Sequence, residues 1–77
     1  MTIRYSGIID NGTRCGIITY KNGKEDKKAE KVIEAIEKSG YRVDLICCDD
    51  ITEAYFGVYD KDEYLEVKEI YMEAKRT

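Results

Sequence analysis

Histidine, proline and tryptophan are all absent from these 77 residues, and phenylalanine occurs once. Without histidine the chain lacks the commonest general base and the commonest metal ligand. That excludes triads built on histidine, most catalytic zinc sites and cysteine nucleophiles activated by an imidazole. The lack of proline removes a common stop signal, so the borders of helices and strands are soft. No apolar run approaches the ~20 residues that a membrane span needs. The opening Met1-Thr2-Ile3-Arg4-Tyr5 leads straight into strand pattern with no charged-then-apolar leader, which sets the expectation of a cytoplasmic protein.

Cys15, Cys47 and Cys48 are an odd number, and adjacent Cys47 and Cys48 on a strand point to opposite faces, so they do not form a disulfide framework. There is no C-x-x-C spacing, and Asp49 and Asp50 beside the cysteine pair would raise thiol pKa values and so oppose thiolate chemistry. The reading that follows is buried strand cysteines. Gly7, Gly12, Gly16 and Gly23 lack the strand-to-helix context of a phosphate-binding loop. No cofactor is implied.

What is present points to one small globular domain: 43% hydrophobic and 38% charged residues, with a net charge of −3. So short a chain buries limited surface, and self-association, a homodimer in its simplest form, is an available source of stability. The charge is unevenly spread. Residues 1–24 carry four basic side chains against one acidic, whereas residues 49–77 carry nine acidic against four basic. This argues against a dedicated duplex-DNA binder and suits a basic partner.

A repeated phrase opens the chain: Gly7-Ile8-Ile9 before Asn11-Gly12, and Gly16-Ile17-Ile18 before Asn22-Gly23. Asn-Gly favours a tight hairpin turn. A turn at Asn11-Gly12 predicts a hairpin over 2–21 with Gly7 opposite Gly16, Ser6 opposite Ile17, Tyr5 opposite Ile18 and Ile3 opposite Tyr20. Gly7 and Gly16 would then form a notch on the face shared by Ile3, Tyr5, Ile18 and Tyr20, covered by a helix and partly by Tyr5.

Asn22 as N-cap with Glu25 three residues on predicts a helix over 24–39, its apolar stripe Ala29, Val32, Ile33 and Ile36, ended by Gly40. Alternation over 41–48 predicts a strand that is apolar on both faces towards its end, hence central and covered on both sides there. The aromatic stretch 54–59 predicts another strand. Asp60-Lys61-Asp62-Glu63 has capping-box spacing ahead of a second helix over 61–75, with Tyr64, Val67, Ile70, Tyr71 and Ala74 on one arc. The expected fold is α+β, in the order β-β-α-β-β-α, with a mostly antiparallel sheet and helices on one face.

Three functional readings follow. The first is a small non-enzymatic interaction protein, an inhibitor or adaptor. It would bind a basic protein partner through an acidic, tyrosine-rich surface of Tyr55, Tyr59, Asp60, Asp62, Glu63, Tyr64 and Glu66. Tyrosine offers a rigid apolar body with a polar tip, and seven are present. The second is a nucleic-acid or nucleotide binder using Arg4, Arg14 and Lys21 with stacking tyrosines. Alternation counts against it by placing Arg4 and Arg14 on opposite faces. The third is a carboxylate-metal enzyme around Asp10, Asp49 and Asp50; for the aspartate pair, an exposed turn is the competing reading.

Overall fold

A computed structural model describes residues 1–7 and 14–76. The elements run β1 (Thr2–Ser6), β2 (Arg14–Lys21), α1 (Asp26–Lys38), β3 (Val43–Cys48), β4 (Ile51–Val58) and α2 (Lys61–Arg76). This is the α+β order that the sequence predicts. The sheet is antiparallel throughout, with spatial order β1-β2-β4-β3. After β2 the chain crosses through α1 to β3, one strand's width beyond. A two-residue turn at Asp49-Asp50 then returns β4 into the gap. Asp49 adopts a φ of 55°, in the left-handed region that aspartate tolerates better than most residues.

The two helices pack against each other and against one sheet face. Both predicted apolar stripes enter the core. Ala29, Val32, Ile33 and Ile36 of α1 meet Tyr64, Val67 and Tyr71 of α2 over Ile18, Tyr20, Ala54, Phe56 and Val58 of the sheet. Ile70 and Ala74 are partly buried against the same cluster. Gly40 ends the first helix with a φ of 101°, and its N–H donates to the Glu37 carbonyl at 3.0 Å. The second helix is capped by the predicted pair, with Asp60 in its expected role and Glu63 reaching one residue further back, to Tyr59 instead of to Asp60. Asp60 Oδ1 accepts from the Glu63 N–H at 2.9 Å, and Glu63 Oε1 accepts from the Tyr59 N–H at 2.6 Å.

Four expectations change. The hairpin register is two residues away from the predicted one: Ile3 faces Ile18, Tyr5 faces Gly16 and Ser6 faces Cys15. An even shift keeps every side chain on its face, so Ile3, Tyr5, Gly16, Ile18 and Tyr20 still share the helix side. The glycine notch is filled differently, because the ring of Phe56 lies over Gly16, its Cα partner on β4. Phe56 in turn stacks on Tyr64 at 6.4 Å between ring centres, and Tyr64 meets Tyr5 at 5.2 Å. Aromatic packing across three elements, rather than local turn preference, accompanies this register. The predicted turn itself, with Ile8 to Thr13, lies outside the described residues.

The second change is at the helix start. Asn22 does not cap α1. Its N–H donates to the Asp50 carbonyl at 2.8 Å and its Nδ2 to the Asp49 carbonyl at 3.2 Å, tying the end of β2 to the β3–β4 turn. Glu25 precedes the helix instead, accepting the Lys21 N–H at 2.9 Å and pairing with the Met1 amine.

Third, β3 is an edge strand rather than a central one, and every residue from Asp44 to Cys48 is exposed. Apolar residues on both its faces imply burial, but burial here follows strand order, and β4 takes the central place. Fourth, Cys47 and Cys48 are therefore exposed, and only Cys15 is buried.

The centre of the sheet face away from the helices is covered by its own side chains, while Ile46 and Ile51 on that face are exposed. On that face Ile17 is buried between Arg4 and Tyr55, its Cα partners on the two neighbouring strands. Glu53 links those neighbours, accepting from Arg4 Nη2 at 3.3 Å and from the Tyr55 hydroxyl at 2.9 Å.

Candidate functional site

Val43 packs against the core, but beyond it the helix pair leaves the inner face of β3, at Leu45 and Cys47, uncovered. Between α1 and β3 runs an open groove of about 800 Å³. Its floor is Leu45 and Cys47 of β3 with Ile33 of α1, and Leu45 is 53% exposed. One end is polar: Thr52 donates its hydroxyl hydrogen bond to Asn22 Oδ1, and Cys47 Sγ lies 3.4 Å from the Thr52 oxygen. The groove's α1 wall carries Asp26, Glu30, Glu34 and Glu37.

That wall follows from helix periodicity. Spacings of four, four and three residues put the four carboxylates in one row beside the apolar stripe. On the opposite flank of α1, Lys31, Ala35 and Lys38 line a smaller cleft with Ile70, Glu73 and Ala74 of α2, and Glu34, on the crest between the two, borders both. The acidic edge of α1 thus turns towards β3. Glu34 also pairs with Lys38 at 3.1 Å across an exposed helical turn. Tyr20, lining the same groove, registers the field. Burial holds its hydroxyl pKa above the ordinary tyrosine value, a hydrogen bond with Thr52 acts the other way, and Asp26, Cys47 and Glu30 raise it further.

The tyrosine-rich surface read from the sequence is dispersed. Tyr64 is 5% exposed and belongs to the core, where burial raises its pKa. Tyr55 lies on the outer sheet face, and its hydrogen bond to Glu53 raises its pKa, with burial second. Asp60 and Glu63 are engaged in the helix cap. Tyr59, 72% exposed, remains near Asp60 and the exposed Asp62, with Glu66 one turn further along α2.

The basic set is also apart. Arg4 pairs with Glu53 on the outer face, while Arg14 Nη1 donates to the Tyr59 carbonyl at 3.1 Å. Lys21 is exposed at the end of β2. Asp49 and Asp50 form the tight turn, and Asp10 lies outside the described residues. Among the described residues, no three cysteine or carboxylate side chains are grouped to hold a metal ion.

The sequence alone does not mark the acidic wall, because carboxylates beside an apolar stripe are ordinary on a solvated helix surface. A signal existed in the 26, 30, 34, 37 spacing beside the apolar stripe. It gains meaning only when the neighbouring strand is known to be uncovered. No described helix is long and apolar enough to cross a membrane. Compared with known proteins, the chain matches no family model, no curated protein and no solved structure.

Proposed function

We propose that this protein is a non-enzymatic binding module whose groove between α1 and β3 receives a basic, apolar-studded segment of a partner protein. The observation that carries the reading is the pairing of an exposed apolar floor with a carboxylate wall. Leu45 offers dispersion and desolvation to apolar side chains, while Asp26, Glu30 and Glu37 meet lysine or arginine at the rim. Such a division gives affinity from the floor, and orientation and association rate from the rim. The reading keeps the basic protein partner suggested by composition and moves its seat from the Tyr59–Glu66 surface to α1. Nucleic acid is disfavoured, because Arg4 and Arg14 are separately engaged on opposite sides of the sheet.

The test uses a synthetic peptide of alternating leucine and arginine, titrated into isotopically labelled protein and followed by amide chemical shifts. Shifts should concentrate on Asp26 to Glu37 and on Leu45 to Cys47. They should vanish in a Glu30→Lys/Glu37→Lys variant and weaken with added salt. Shifts centred on Tyr59 to Glu66 would return the site to that surface, and the absence of saturable shifts would refute the groove reading.

A further inference from the structure

We propose that β3 is a self-pairing edge, and that two copies of this chain join antiparallel through it into one eight-stranded sheet. An exposed edge presents a row of backbone donors and acceptors, and soluble proteins usually blunt it with lysine, proline, a bulge or a cover. Here β3 has neither lysine nor proline, its pairing with β4 runs without a bulge over six consecutive residues, and both Leu45 and Ile46 are about half exposed on opposite faces. The other edge, β1, is better protected. It is five residues long, carries Arg4, and has partly buried Ile3 and Tyr5 under the helices.

The occupant is a second copy because the segment complements itself. Arg42 precedes β3, where it pairs with Asp44 at 3.4 Å across an exposed surface, Asp49 and Asp50 follow the strand, and apart from Asp44 the residues between are apolar or cysteine. Antiparallel self-pairing therefore brings the basic end of each strand to the acidic end of the other. Parallel pairing would align like with like. Keeping both helix layers on one side requires residues of the same face to stand opposite each other.

Of the two central registers that satisfy this, one places Leu45 opposite its own copy and sets the two Asp44 side chains on a close diagonal. The other places Ile46 opposite Ile46, Leu45 opposite Cys47 and Asp44 opposite Cys48, draws the two Asp44 carboxylates apart, and brings Arg42 of each copy towards the Asp49-Asp50 turn of the other. The second register separates the like charges and joins the unlike ones, so it is the one assigned. It also brings the two α1–β3 grooves side by side. The pairing rests on the edge alone and stands whether or not the groove takes a basic peptide.

Sedimentation velocity over a concentration series tests it first. Wild type should shift from monomer to dimer within the micromolar range. Ile46→Lys should remain monomeric with unchanged circular dichroism and a melting temperature that no longer depends on protein concentration, because Ile46 is exposed in the monomer. In a Cys47→Ser/Cys48→Ser background, Ile46→Cys should cross-link to its copy roughly tenfold faster than Leu45→Cys, since directly opposed strand residues meet disulfide geometry and offset ones do not. A wild type that stays monomeric, a dimer that survives Ile46→Lys, or faster cross-linking through Leu45→Cys would each overturn the proposal. The peptide titration is read separately, on monomeric Ile46→Lys, so failure of the edge and failure of the groove are distinguishable.

Discussion

Gly16→Ala is a demanding test of the aromatic stack. A Cβ built at Gly16 would stand 2.1 Å from Cζ of Phe56 and 2.5 and 2.8 Å from its two Cε atoms. Those distances are far inside van der Waals contact, so something must move. The ring is the free end of its side chain, yet Phe56 is 1% exposed and lies stacked on Tyr64, which leaves it little space to swing. Overpacking of this kind costs about 1–3 kcal/mol, and the depth of overlap places Gly16→Ala near the top of that range. At about 4–8 °C per kcal/mol for so small a domain, a loss of ~3 kcal/mol lowers the melting temperature by about 12–24 °C.

Thermal and urea unfolding by circular dichroism measure it. Gly7→Ala is the control, since among the described residues nothing lies within 4 Å of a Cβ there, and its effect should stay within about 0.5 kcal/mol. The decisive measurement is the cycle with Phe56→Leu. The smaller side chain leaves a cavity on its own but makes room for the new methyl, so the double variant should be more stable than the sum of the single losses predicts. Additive losses, or a Gly16→Ala cost below about 1 kcal/mol, would refute the packing argument.

Three further outcomes follow from named contacts. Glu25 has its carboxyl pKa lowered, first by the Lys21 N–H and then by the Met1 amine. Its contribution to stability is therefore present above the unfolded glutamate pKa and lost as pH falls through the folded value. Urea unfolding should show a shallower acid-side fall in stability for Glu25→Gln than for wild type, and parallel curves would contradict this. Asp60→Ala removes the acceptor for the Glu63 N–H and should cost about 1 kcal/mol, read in urea, with Asp60→Asn or Asp60→Ser recovering most of it. Asp26→Lys/Glu30→Lys should lower the Tyr20 pKa measured by carbon-13 NMR while leaving it above the ordinary tyrosine value, because burial is the larger cause. An unchanged titration would show that these carboxylates do not reach the groove floor.

The sequence shows its periodic features well and its pairings poorly. The stripes on α1 and α2 follow from residue spacing alone, and so does the Asp60–Glu63 cap, because each depends on neighbours three or four residues apart. Face assignment in the hairpin survives because an even register shift preserves it, although the register itself depends on Phe56, forty residues from Gly16 in the chain. Strand order is harder still. Nothing local to Val43–Cys48 says that β4 will insert between it and β2, and with that insertion two cysteines and Leu45 move from expected core to surface. The acidic row on α1 was visible as a pattern but carried no weight until the strand beside it proved bare. Tyr64 shows the converse. It fits both an exposed aromatic-acidic patch and an apolar arc, and packing decides for the arc.

The acidic wall also opposes what stability alone would select. Residues 30 and 37 flank the apolar stripe of α1 on the side facing Leu45, where leucine would extend the core over β3. Glu30→Leu/Glu37→Leu would remove on the order of 40 Å² of apolar surface from water, worth about 1 kcal/mol. Leucine also matches or exceeds glutamate as a helix former, so the backbone raises no objection. If the carboxylates serve a partner, the double variant should melt higher than wild type and no longer bind the leucine–arginine peptide, the usual trade between stability and function. A lower melting temperature with peptide binding retained would mean that Glu30 and Glu37 support the fold itself, and the case for the groove as a recognition surface would fall.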